Sequence, residues 1–190
     1  MSKNTFWYIV IGMAVVVGAL LGPSLSDEIG GYVLILFPLL LIGLIVLIVY
    51  SLSGNKGGPR ADPAAEADAL ALRPSPGRGR IYVVRRGFAA AIQGMNVTID
   101  GRLKGQIRSG YFLMAELDSG TYRVDVRMAR GGKSTESALD VTVAEGRNQV
   151  IHVLFEMGAI TGSSKMTPIE EYKAAEALAG AKMMTWSEGA

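Results

Sequence analysis

The sequence predicts a membrane-anchored α+β protein: a two-helix transmembrane hairpin, a flexible linker, and an antiparallel seven-stranded β-sandwich with a C-terminal helix. Three observations lead there. Charge-free apolar runs occupy residues 6–22 and 31–50. A stretch rich in Gly, Pro, Ala and Ser follows. From Arg80 onward apolar residues recur with a period of two, the spacing of a half-buried strand. On this division of the 190 residues, 1–51 form the hairpin, 52–79 the linker, 80–157 the sandwich, and 158–190 a loop and a helix over 167–184.

A hydrocarbon core about 30 Å thick needs about 20 helical residues, with about 17 as the lower bound. The run FWYIVIGMAVVVGALLG (6–22) is short but sufficient, and the second span, 31–51, is ample. Trp7, Tyr8, Tyr32 and Tyr50 stand where aromatic side chains meet a bilayer interface. The short PSLSDEIG connection makes the spans antiparallel, and backbone groups in lipid must be satisfied internally, so both spans are helices. Gly18 and Gly22, four apart, are candidate helix-packing positions. Pro38 kinks the second span, with Gly43 as a second soft point. Neither run holds an ionisable residue, which argues against an ion or proton path.

Lys3 precedes the first span, Lys56 and Arg60 follow the second, and no base lies between. The positive-inside bias puts both ends in the cytoplasm, giving an integral, multi-pass protein with a cytoplasmic C-terminal domain. The first run also reads as a secretory signal with SLS before Asp27 as a cleavage site; the domain then stays on the same side.

The linker cannot bury enough apolar surface to offset chain entropy and is expected to be mobile, apart from a turn or two of helix from an Asp62 N-cap and Pro63 to Leu72. Arg60, Arg73, Arg78 and Arg80 either lie against anionic lipid head groups or stay solvated.

In the sandwich, RIYVVRR starts a strand, and MNVTID and RLKGQI form a hairpin around Asp100-Gly101. YFLMAEL follows a Ser-Gly turn. TYRVDVRMAR (121–130) turns Tyr122, Val124, Val126 and Met128 to one face and Arg123 and Arg127 to the other. ALDVTV repeats the alternation, and NQVIHVLFEM, apolar on both faces, suits a central position. TPIE then supplies an N-cap Thr167, Pro168 at the first helical position and a reciprocal Glu170. The helix that follows places Ile169, Tyr172, Ala175, Ala179 and Met183 near one face, available to the sheet or to a partner.

The segment VTIDGRLKGQIRSGYFLMAELDSGTYRVDV resembles PEGA-like and transthyretin-like bacterial β-sandwich modules in its v-x-v-D-G hairpin, G-x-f strand and l-x-x-G-x-y-x-v-x-v strand. Residues 80 to about 180 are similar to an uncharacterised bacterial membrane-anchored family of that kind. The resemblance implies a bacterial, membrane-anchored sandwich whose shared positions are turns and core, with no catalytic residue to carry over, and the two-span anchor turns the domain inward, which gives a bacterial inner (cytoplasmic) membrane.

The chain has no cysteine, which removes disulfides, thiolate metal sites and lipid-modified cysteine. His152, the lone histidine, sits in the most apolar strand, and zinc needs three or four His or Cys ligands. No nucleophile elbow, phosphate loop or dinucleotide fingerprint is present; RGGKS (130–134) lacks the required spacing. Residues 81–190 hold 13 bases and 12 acids, without the basic excess that nucleic acid needs. The expectation is a non-catalytic chain with no cofactor, metal or small-molecule substrate. It would be a membrane-anchored accessory or scaffold subunit that packs its spans on a larger membrane complex. The alternative is a tethered adaptor that binds a soluble protein or peptide through the sandwich. Arg123, Arg127 and Arg130 form the candidate interaction face, suited to an acidic partner surface.

Overall fold

The structure is a computed structural model that describes residues 27–158 and 162–187, with side chains in the first helix given for 36–50 and Leu52. The chain divides into two units, Met1–Ser51 and Leu52–Ala190. In the first, α1 (Asp27–Leu52) runs for 26 residues with Pro38 inside it. Its described side chains are apolar on every side: Leu36 and Leu40 are 61% and 70% exposed, and Leu39, Val46 and Leu47 are also exposed. Gly43 has nothing within 4 Å of a Cβ position.

The second unit contains α2 (Pro63–Leu70), β1 (Arg78–Arg85), β2 (Met95–Ile99), β3 (Leu103–Ile107), β4 (Tyr111–Asp118), β5 (Gly120–Met128), β6 (Ser137–Val143), β7 (Asn148–Met157), β8 (Gly162–Ile169), α3 (Ala174–Leu178) and β9 (Lys182–Met184). One sheet has five strands in the order β8-β7-β1-β4-β9 and the other four in the order β3-β2-β5-β6. The turn after β2 places Asp100 and Gly101 at φ +49° and +66°, the left-handed backbone that Asp and Gly tolerate best.

Between the sheets lies a core of Ile81, Val83, Met95, Val97, Ile107, Leu113, Val124, Val126 and Ile151. The outer face of the five-stranded sheet is also covered: Tyr82, Val84, Phe112 and Val150 pack with Ala69 of α2 and Ala174 and Leu178 of α3. β1 is therefore enclosed on both faces, and every residue after Arg78 is buried.

Four expectations are corrected. Among the described residues the fold is mostly β, with nine strands in two sheets, rather than an anchored α+β sandwich of seven antiparallel strands. Two pairings are parallel, β1 with β7 and β4 with β9. The transmembrane hairpin is not supported: among the described residues no helix is long and apolar enough to cross a membrane. The first run, with Trp7, Tyr8, Gly18 and Gly22, lies outside the described residues.

The C-terminal helix over 167–184 is replaced by two strands and a short helix. Thr167 and Pro168 pair with His152 and Ile151 on the open side of β7, and sheet pairing there outweighs the local capping signal. Ile169 ends β8, Tyr172 is in a 3-10 turn (Glu171–Lys173), Ala179 caps α3, and Met183 belongs to β9. Gly180, at φ +70°, stops the helix and frees the next residues to pair with β4.

The stretch expected to be a mobile linker is bonded along its length. Asp62 caps α2 as expected, but Arg60 bridges Met184, the Ala61 amide donates to the Met183 carbonyl, and Asn148 reaches the Leu72 carbonyl. These polar contacts act together with burial of Ala61 and Ala69 against the outer face of the five-stranded sheet.

Candidate interaction surfaces of the β domain

The exposed face of the four-stranded sheet forms a cleft of about 460 Å³ lined by Asn96, Thr98, Arg123, Asp125, Arg127 and Glu136. Strand alternation puts Arg123 and Arg127 on this face, because Val124 and Val126 must fill the core. Each arginine has an acid beside it, Arg123 with Asp125 and Arg127 with Glu136, both at 3.1 Å. Such exposed pairs contribute little to stability, so either arginine can exchange its partner for an acidic group from outside. Arg130 lines a neighbouring groove that Arg127 shares, its Nε donating to the Ser53 hydroxyl at 3.0 Å. The three expected residues thus line two adjoining clefts, with Arg127 common to both.

A second cleft, about 270 Å³, opens on the helix-covered face between Arg86, His152, Ile169, Lys173, Glu176 and Ala177. Arg86 closes the end of α3 by donating to the carbonyls of Ala177 and Ala179, groups a helix terminus leaves without partners. The His152 Nε2 is shut away from solvent and has no hydrogen-bond partner. Burial, assisted by the Arg86 charge, lowers the pKa of His152 below the usual histidine value. A neutral imidazole with one nitrogen enclosed fits a packed residue better than a proton carrier.

Two arginines of β1 are almost wholly buried, which corrects the expectation of a solvated or lipid-facing Arg80. On the face shared with Tyr82 and Val84, the Arg80 Nε donates to Glu116 at 2.6 Å and its Nη2 to Asp68 at 2.7 Å, and Nη1 reaches the Asp68 carbonyl. This clamp fastens α2 to the sheet. Arg85 has the opposite parity and points with Ile81 and Val83 into the space between the sheets. Its guanidinium donates to the carbonyls of Gln93 and Ala90, and burial lowers its pKa to about 10. The signal for both was a charge inside an otherwise apolar strand, a pattern that alternation alone reads as an exposed face.

Among the described residues no group of His, Asp and Glu is arranged to hold a metal ion. No family model matches the chain, and no curated protein matches it.

Proposed function

We propose that the chain is a non-catalytic, membrane-anchored accessory or scaffold subunit whose β domain contacts a larger membrane protein complex. The observation that carries this reading is the exposed apolar surface of α1. A helix that is apolar all round is at home in lipid or within a larger apolar assembly, and Leu36, Leu39, Leu40, Leu47 and Val49 all stand exposed. The paired arginines of the 460 Å³ cleft supply a polar contact face in the domain that follows. The domain's buried arginines have structural tasks, which supports a binding part over an enzyme. Placement at a bacterial inner membrane, with both ends cytoplasmic, belongs to the same proposal, as does the likeness to PEGA-like modules.

A second reading is a tethered adaptor. It draws on the sheet ends: β6 and β8 are each the terminal strand of a sheet, and a terminal strand offers backbone groups to a peptide strand.

Native mass spectrometry on the full chain purified from its own membranes in mild detergent separates the two. Stoichiometric integral membrane partners support the accessory subunit; recovery as a monomer or self-oligomer overturns it and favours the adaptor. Sidedness follows from Ser119→Cys, an exposed position in a chain without cysteine. In intact cells it should resist a membrane-impermeant maleimide, and rapid labelling would reverse the topology.

A further inference from the structure

The loop between β1 and β2 displays apolar side chains to solvent while its backbone is held from three sides. Phe88 is 97% exposed and Ile92 65% exposed, with Ala89, Ala90 and Ala91 between them half-buried. Exposed Phe and Ile in a flexible loop would be unremarked, but this loop is braced. Arg85 holds the Ala90 and Gln93 carbonyls from below. Asn55 donates to the Ile92 carbonyl at 2.8 Å and accepts from the Gly94 amide. The Ser109 hydroxyl donates to the Gly87 carbonyl at 2.7 Å, and its amide to Ala91. Ala90 is held at φ +50°, a conformation that costs an L-residue about 1 kcal/mol. Only Ala90 of the loop packs against the core, so a buried cation and a strained alanine fix a loop whose two largest side chains stay outside it, which makes sense where the apolar tip meets something else.

Chain connectivity indicates what that is. Asn55 follows Leu52, the last residue of α1, by three residues, at most about 10 Å of extended chain. Neighbouring charge fits a bilayer surface: the groove built on residues 53–59 is lined by Lys56, Lys104, Arg127 and Arg130 and by no acid. It is joined to the loop's support through Gln106, which donates to the Gly54 carbonyl. Apolar side chains beside basic ones are the composition of an interfacial lipid contact.

We infer that Gly87–Gly94 is a lipid-contacting loop that inserts Phe88 and Ile92 into the headgroup and acyl boundary of an anionic bilayer. Arg85 and Asn55 act as its positioning residues. This rests on the membrane reading above, and the test separates the two.

The full chain carrying Phe88→Cys, Ile92→Cys or Ser119→Cys is labelled with an environment-sensitive fluorophore and reconstituted in vesicles of phosphatidylcholine and phosphatidylglycerol. Probes at 88 and 92 should emit to the blue of the probe at 119, lose intensity to lipids bearing a doxyl group near the head, and resist dissolved iodide. If alkaline carbonate releases the chain from the vesicles, the membrane reading fails and this inference with it. If the chain is retained but iodide quenches 88 and 92 as it does 119, the inference alone is overturned. Probes shielded from iodide and untouched by doxyl lipid would also overturn it, since a second copy of the chain would then cover the loop.

Discussion

The two ends of β1 solve the same electrostatic problem differently. Arg80 and Arg85 are both buried, yet Arg80 meets the carboxylates of Asp68 and Glu116, whereas Arg85 meets only carbonyl oxygens. Paired charge in a low-dielectric site has its desolvation offset by Coulomb attraction and hydrogen bonds; a lone guanidinium has only the bonds. The Arg80 end therefore supports the fold by fastening α2 to the sheet. The Arg85 end bears an electrostatic cost to shape a loop, which is the pattern expected where a segment is positioned for an outside contact.

The largest test of that contrast is Arg80→Met. It leaves Glu116, 21% exposed, without its partner while Asp68, 61% exposed, turns to solvent, and the charged hydrogen bonds lost, at about 1.5 kcal/mol or more each, should total about 3 kcal/mol. A melting temperature lower by about 10 °C is expected in a domain of this size. Calorimetry showing a loss below about 3 °C would mean that solvent reaches the clamp and that the two ends are alike.

A smaller effect is expected from Glu116→Gln. The Ser75 hydroxyl, followed by the Arg80 guanidinium, lowers the pKa of Glu116. The folded state thus favours the ionised form, and its contribution is present above the unfolded value of 4.5 and lost as pH falls through the folded one. Glu116→Gln should cost about 1.5 kcal/mol near neutral pH, the scale of a charged hydrogen bond, and less in acid. Hydrogen exchange in α2 reads this out: the wild-type helix should lose protection on acidification below pH 4.5, and the variant should change less. Equal acid dependence would place the carboxylate's partner elsewhere.

Arg85→Met comes next. It removes a buried charge and two hydrogen bonds together, so the terms oppose and the net cost should be about 1 kcal/mol. Exchange of the amides in 87–94 should nevertheless accelerate strongly while β1 stays protected. If this variant destabilises the domain as much as Arg80→Met, Arg85 is a support of the whole fold and the contrast breaks.

The same strand marks how far sequence reasoning reaches. The seven strands between 78 and 157 were legible because alternation is a local signal that burial of one face enforces, as in Val124, Val126 and Met128. What followed was not. Thr167, Pro168 and Glu170 carry a strong helix-start signal, yet the open side of β7 captures those residues as β8, and no local pattern reveals a vacant sheet edge. The linker's attachment is not legible because it relies on single polar contacts, Asn55 to the 86–94 loop and Asp68 to Arg80, and on the burial of small side chains, Ala61 and Ala69, that carry little hydrophobic signal. Of the candidate interaction residues, alternation places Arg123 and Arg127 on one face, while Arg130, where the chain turns after β5, lines an adjoining groove that Arg127 shares. Arg80 and Arg85 look in sequence like any charged flank of a strand, since their burial depends on α2 and on the loop folding over them.

The smallest expected effect concerns His152, a third polar group enclosed beside β1. Its Nε2 is sealed without a partner, and its pKa lies below the usual value of 6.5. The unfolded chain therefore takes up a proton at a higher pH than the fold does, and stability contributed at neutral pH is lost as pH falls from 6.5 toward the folded value. His152→Leu removes an unsatisfied atom and the titration together, so it should be neutral or stabilising by less than about 1 kcal/mol at pH 7.5. Its advantage should grow on acidification to pH 5.5. Melting curves of the two proteins across that range decide the matter. Diverging curves mean that the fold holds His152 neutral and closed, as a packed residue. Parallel curves mean that the imidazole takes its proton as readily folded as unfolded, and the cleft between His152, Lys173 and Glu176 would then have to be considered for acid-base chemistry.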